Sequence, residues 1–184
     1  MGQQTTTEAG VTTNPVFEVV RTVLAVREYQ DRAVPDDVVG RIVEAGRLTA
    51  SASNLQPWHF VVVRNRAHLR ELGELVPTGP YIATSAFAIV VAYEKSSRTA
   101  VSDVSRAVQS MILTAWAEGV ASNWAGFGGI DDVRHSVGLA ESYDVLAVVP
   151  FGYPARPVGK GKKNRKPLSA VASMERYGAP FSSG

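Results

Sequence analysis

Two short, nearly unbroken apolar runs constrain this chain most: Ala86 to Tyr93 and Val145 to Gly152. Each has the length of a strand and falls far short of the roughly 20 residues that span a bilayer. Such runs, bounded by loops, read as buried strands. Phe60 to Val63, inside a predicted strand from His59 to Arg64, reads the same way, and Ala121 to Ala125 supplies a further short strand. Between them lie stretches with helical periodicity. Alternating strands and helices predict a central sheet covered by helices on both faces.

The predicted helices have recognisable beginnings and ends. Asn14-Pro15 caps and opens a helix whose apolar positions Val16, Val19, Val20, Val23 and Leu24 carry it to about Val26. Pro35-Asp36-Asp37 opens a second, with carboxylates in its first turn and an end near Leu48. A short helix is expected over 67–76 and the longest over 101–118, with Val104, Val108, Met111, Ile112 and Ala115 on one face and Gly119 as its stop. Further helices are expected over 131–137 and around 168–174. No internal repeat or second domain is visible. Residues 1–13 are polar and read as a flexible tail ahead of a single domain over 14–184.

Composition removes several functions. The 184 residues contain no cysteine, which excludes disulfides, thiolate nucleophiles and cysteine metal sites. The three histidines show no metal-ligand spacing, and no HExxH, GxSxG or paired-carboxylate pattern occurs. A net charge of +2 argues against a nucleic-acid binder. Neither a secretory signal nor a membrane span is expected, and a cytoplasmic location fits the absence of cysteine.

Three segments have the composition of a site. Ser51-Ala52-Ser53-Asn54-Leu55-Gln56-Pro57-Trp58 connects a helix to a buried strand and carries mixed donors and acceptors, as the edge of a planar heterocycle requires. By composition alone it reads more readily as a turn satisfied by itself with Trp58 as its anchor. Gly159 to Lys166 holds five cations in eight residues, which suits a phosphate group, a solvated loop or a nucleic-acid patch. Asn123-Trp124-Ala125-Gly126-Phe127-Gly128-Gly129 is either a tight turn or a place where backbone approaches a ligand.

In this order, the segments resemble the nitroreductase family of FMN enzymes from about Pro15 to Tyr177. The match rests on Ser51-x-x-Asn54-x-Gln56-Pro57-Trp58 before the Phe60–Val63 strand and on Arg27-x-Tyr29 followed by Pro35. It continues with the helix from Asp103 to Ala115, Gly119 with Ser122 and Trp124, Phe151-Gly152-Tyr153-Pro154, and Lys163-x-Arg165-Lys166-Pro167-Leu168. The resemblance implies an α+β fold, a three-layer α-β-α sandwich around a central mixed sheet. It also implies a homodimer with FMN at its interface, and electron transfer from NADH or NADPH to nitroaromatic, quinone or related small-molecule acceptors by a ping-pong cycle.

Carried over residue by residue, Ser51, Asn54 and Gln56 would meet the flavin ring and ribityl chain, and Lys163 and Arg165 the phosphate. Trp124 and Gly126 would approach the ring by their backbone, and Arg27 would add a cation. No protein residue is assigned as a catalytic acid. The chain departs from the family where Val23, Leu24 and Ala25 stand in place of the usual Arg-Arg-Ser or Arg-His-Ser phosphate grip. That departure keeps two alternatives in view: a non-catalytic flavin-binding or storage protein, and a reductase using another flavin-like cofactor such as a deazaflavin. The region from Arg64 to Ser85 is also short, so the substrate-covering helices of larger members are expected to be reduced.

Overall fold

The computed structural model describes residues 14–127, 130–159 and 163–181. The expected tail over 1–13 lies outside the described residues, as do Gly128, Gly129 and Lys160 to Lys162. Helix α1, Pro15–Thr22, starts where Asn14 accepts from the Val16 and Phe17 amides at 3.0 and 3.1 Å. It stops four residues before its expected end. The extended backbone beyond it pairs with another element: Val26 N donates to Ser122 O at 2.9 Å, and Ala25 bridges Ser122 in parallel. Tertiary pairing here outweighs the helical periodicity of Val23 and Leu24.

The remaining elements are α2 (Asp36–Arg47), β1 (Trp58–Val63), α3 (Arg66–Leu75), β2 (Phe87–Glu94), α4 (Ala100–Ala117), β3 (Ala121–Ser122), α5 (Asp131–Ser136) and β4 (Tyr143–Gly152). The strands stand in the order β1-β2-β4-β3 and pair antiparallel. The isolated Ala25–Ser122 bridge, outside these strand pairs, is the one parallel pairing among the described residues.

Strand alternation divides the core into two layers. Phe87, Ile89 and Val91 of β2 face α2 and α4, where they join Ile42, Val104, Val108 and Met111. Ala88 and Val90 face α3 and α5, where they join Leu69, Leu72 and Val133. These side chains are sealed from solvent, and Phe87 stacks on Phe151 at 4.9 Å. A bulge between Val91 and Ala92 lets Val145 and Val148 of β4 point to one layer while Leu146, Val149 and Phe151 point to the other.

Two sequence motifs lock together at the end of β4. Tyr29 lies against Gly152, where an added Cβ would sit 2.9 Å from its ring, and its hydroxyl donates to Val26 O at 2.7 Å. Gln30 N donates to Tyr153 O, and Ala155 N to Glu28 O. The Arg-x-Tyr and Gly-Tyr-Pro segments are therefore one structural joint.

The helix expected around 168–174 is only a 3₁₀ turn, Leu168–Ala170. Leu168, Val171 and Met174 remain exposed, and without packing a short helix is not sustained.

Candidate active site

A cavity of about 590 Å³ lies beside the core. It forms where the end of α1, the extended Val23–Ala25 backbone, the middle of α4 and the residues after β3 meet Lys163 and Arg165. Volumes of this size accommodate small molecules and cofactors. Its floor is firmly built. Asn123 is nearly buried and donates to the Tyr81 hydroxyl. Trp124 Nε1 donates to Gly126 O at 2.7 Å, and Ala125 exchanges backbone hydrogen bonds with Val148. Gly126 has φ +72°, which favours glycine, and its amide donates to Thr78 Oγ1 at 3.1 Å. Trp124 thus separates this cavity from a second, of about 410 Å³, lined by Val76, Gly126, Phe127 and Ile130.

One end of the main cavity is cationic. Lys163 Nζ donates to Val20 O at 2.7 Å, at the carbonyl end of α1 where positive charge is favourable. Burial, then Arg165, then Arg21 push the Lys163 ammonium below its ordinary value. Arg21 is held by Glu18, but no carboxylate pairs with Lys163 or Arg165 among the described residues. Like charges gathered in this way are what a bound anion relieves. Val23, Leu24 and Ala25 line the same cavity, so an apolar wall stands where the family pattern has cations.

The loop before β1 is structured differently. Ser53, Asn54 and Gln56 have φ +50°, +55° and +52°, each costing on the order of 1 kcal/mol in backbone strain. Ser51 Oγ accepts from Gln56 N at 2.9 Å, and Gln56 Nε2 donates to Asn54 O at 3.2 Å. The loop is fastened to α4 by Asp103, a buried carboxylate whose Oδ2 accepts from Ala52 N at 3.2 Å while Arg106 pairs with its other oxygen. Burial acts to raise the Asp103 carboxyl. Hydrogen bonds from Thr99, Arg106 and the Ala52 amide outweigh it and hold the group below the ordinary carboxylate value.

The structure therefore brings together only some of the expected site residues. Trp124, Lys163 and Arg165 line the main cavity, and Gly126 lines its neighbour. Arg27 opens onto a separate cleft of about 360 Å³, with its guanidinium 5.8 Å from the centre of the Tyr81 ring. Ser51, Asn54 and Gln56 do not line the main cavity, and the six-residue step from Asp103 to Gln109 sets their anchor about 9 Å from it along α4. Sequence reading missed Gln109, Tyr81 and the part played by Asp103. The amide of Gln109, lying between Val108 and Met111 of the apolar helix, was the available signal for the first.

Fold, cavity and cationic end define a cofactor-scale α+β binding protein, and comparison with known proteins gives its family. The model of the Nitroreductase family matches residues 21–79 and 77–153. A protein of Methanothermobacter thermautotrophicus named "Putative NADH dehydrogenase/NAD(P)H nitroreductase" is 34% identical over 152 residues, 78% of this chain and 80% of that protein. A crystal structure from Desulfovibrio desulfuricans, described as a "putative nitroreductase in complex with FMN", superposes with a TM-score of 0.78 at 27% identity, covering 90% of this chain and 99% of that one. The FMN-dependent nitroreductase of Clostridium difficile R20291 shares the fold at 20% identity, with a TM-score of 0.79 over 88% of this chain and 99% of that one. The chain belongs to the nitroreductase family and is an oxidoreductase. No helix of the described residues is long and apolar enough to cross a membrane.

Proposed function

We propose that this protein is an FMN-dependent oxidoreductase that takes electrons from NADH or NADPH and passes them to nitroaromatic, quinone or related organic acceptors in alternating half-reactions. The observation that carries this reading is the convergence of Lys163 and Arg165, without carboxylate partners among the described residues, on a cavity floored by Asn123 and Trp124. These residues fit FMN: the cations suit its phosphate, Trp124 and Ile112 an aromatic ring, and Gln109 the polar groups between. When bound, the flavin supplies the two-electron chemistry. The protein's task is to bind, orient and exclude water.

A homodimer completes the proposed site. Ser51, Asn54 and Gln56 do not line their own chain's cavity, and Val16 and Phe17 of α1 are 67% and 60% exposed. A second copy would cover that apolar face and bring its own polar loop to the flavin ring.

The apolar wall of Val23, Leu24 and Ala25 favours one rival, a flavin binder without turnover, because it leaves the phosphate to fewer charge-assisted contacts. An absorbance spectrum after adding FMN, followed by anaerobic NADPH or NADH, separates the two. The proposal expects a bound flavin spectrum that bleaches. A bound flavin that stays oxidised with both donors supports the rival, and absence of binding overturns both.

A further inference from the structure

The loop from Ser51 to Pro57 combines strain with exposure. Ser53, Asn54 and Gln56 hold left-handed φ values, yet Asn54 and Gln56 face solvent and Leu55 is 60% exposed. An exposed segment in such a conformation relaxes unless its surroundings over-determine it. The bonds inside the loop, Ser51 with Gln56 and Gln56 with Asn54, tie it only to itself. Its far end is held by the backbone, where Glu94 N donates to Pro57 O, and among the described residues the side chain that ties its start to the body is Asp103, which is 1% exposed and whose Oδ2 accepts the Ala52 amide. A buried carboxylate is an expensive way to hold one amide, because its charge must be stripped of water and compensated by Arg106. In return it makes a stronger, more directional contact than a neutral acceptor would.

We propose that Asp103 is a positioning residue, which through the Ala52 N–H sets the geometry in which Asn54 and Gln56 meet the flavin ring. The proposal rests on the reading that FMN is the cofactor and that a second copy of the chain carries this loop to the flavin. Asp103 touches neither cofactor nor acceptor. It fixes where the loop begins, and the three left-handed residues propagate that starting point to the two amide side chains. The cationic end of the cavity is built elsewhere, from Arg165 and from Lys163, whose Nζ donates to Val20 O at the end of α1. Loss of Asp103 therefore disturbs the ring end of the ligand and leaves the phosphate end alone.

The test uses the full-length protein and its Asp103→Asn variant. Amide hydrogen exchange across residues 48–58 is measured without cofactor. FMN is then titrated in, recording affinity, the shape of the visible absorption band, and the dependence of affinity on salt. In Asp103→Asn we expect faster exchange confined to this loop, about tenfold weaker FMN affinity, a displaced visible band and an unchanged salt slope. Unchanged loop exchange together with an unchanged band overturns the proposal. So does a general rise in exchange with altered salt dependence, which marks a purely structural residue. If Asp103→Asn fails to fold, Ala52→Pro removes the donor while leaving the carboxylate, at a first helical position that accepts proline, and the same results decide. Failure of the wild-type protein to bind FMN sinks the cofactor reading, whereas the exchange measurement still reports whether Asp103 holds the loop.

Discussion

Strand β2 and helix α1 stand at opposite extremes of this molecule. Phe87 to Ala92 are wholly enclosed, with alternate residues shared between two apolar layers. Helix α1 buries none of its residues, although Val16, Phe17 and Val20 form an apolar face. The stretch from 163 to 181 is likewise almost entirely exposed, with Leu168, Val171, Met174 and Phe181 against no core. The described residues build the sheet and its two helical layers, and leave α1 and the last described segment exposed beside the cavity. The proposed second copy would supply cover where α1 and the last described residues lack it.

The contrast breaks most visibly under truncation. Phe151→Ala should cost about 3–5 kcal/mol, because it removes a stacked, enclosed ring, whereas Phe17→Ala should barely change the folding of a single chain. Denaturant unfolding checks the first. For the second, sedimentation should show weakened self-association, and a stable dimer at all concentrations would argue against α1 as part of the contact.

At the cavity, Arg165→Ala should weaken flavin retention by about 1.5–3 kcal/mol, or roughly 10- to 100-fold, if the cation meets the phosphate. A titration with FMN and with riboflavin, which lacks the phosphate, sharpens this: only FMN should be affected. Gly152→Ala should destabilise by about 1–3 kcal/mol, since its new Cβ would lie 2.9 Å from the Tyr29 ring, and thermal unfolding measures it.

The smallest effect concerns pH. The Asp103 carboxyl titrates lower in the folded protein than its ordinary value near 3.8. Its contribution is therefore fully present above that value and is lost as pH falls through the lower folded one. Exchange protection of the loop should stay constant from pH 8 to about 5 once intrinsic rates are corrected, and decline only below about 4. A decline near pH 6 would point to another group.

Much of the architecture was legible because it is periodic. The apolar runs at Ala86 and Val145 became β2 and β4, and the stripe of Val104, Val108 and Met111 became the buried face of α4. The Asn14-Pro15 start was equally plain, since its cap is local. The misread ends of α1 and of the last segment were not local matters. Ser122 took the hydrogen bonds of the chain after Thr22, and the apolar residues after Leu168 had no core to meet.

The candidate site shows the same division. Lys163, Arg165 and Trp124 were found by residue type and order, and the structure gathers them at one cavity. Their separation from Ser51, Asn54 and Gln56 is invisible in sequence, as is the union of Tyr29 with Gly152 and of Ala52 with Asp103. Local pattern and composition alone located most of the strands and helices, showed which cations are available and excluded cysteine chemistry. Only tertiary structure decided which of those groups share a cavity and which loops are held in strained form, because contacts between residues far apart in sequence depend on how the layers pack rather than on any single segment's preference.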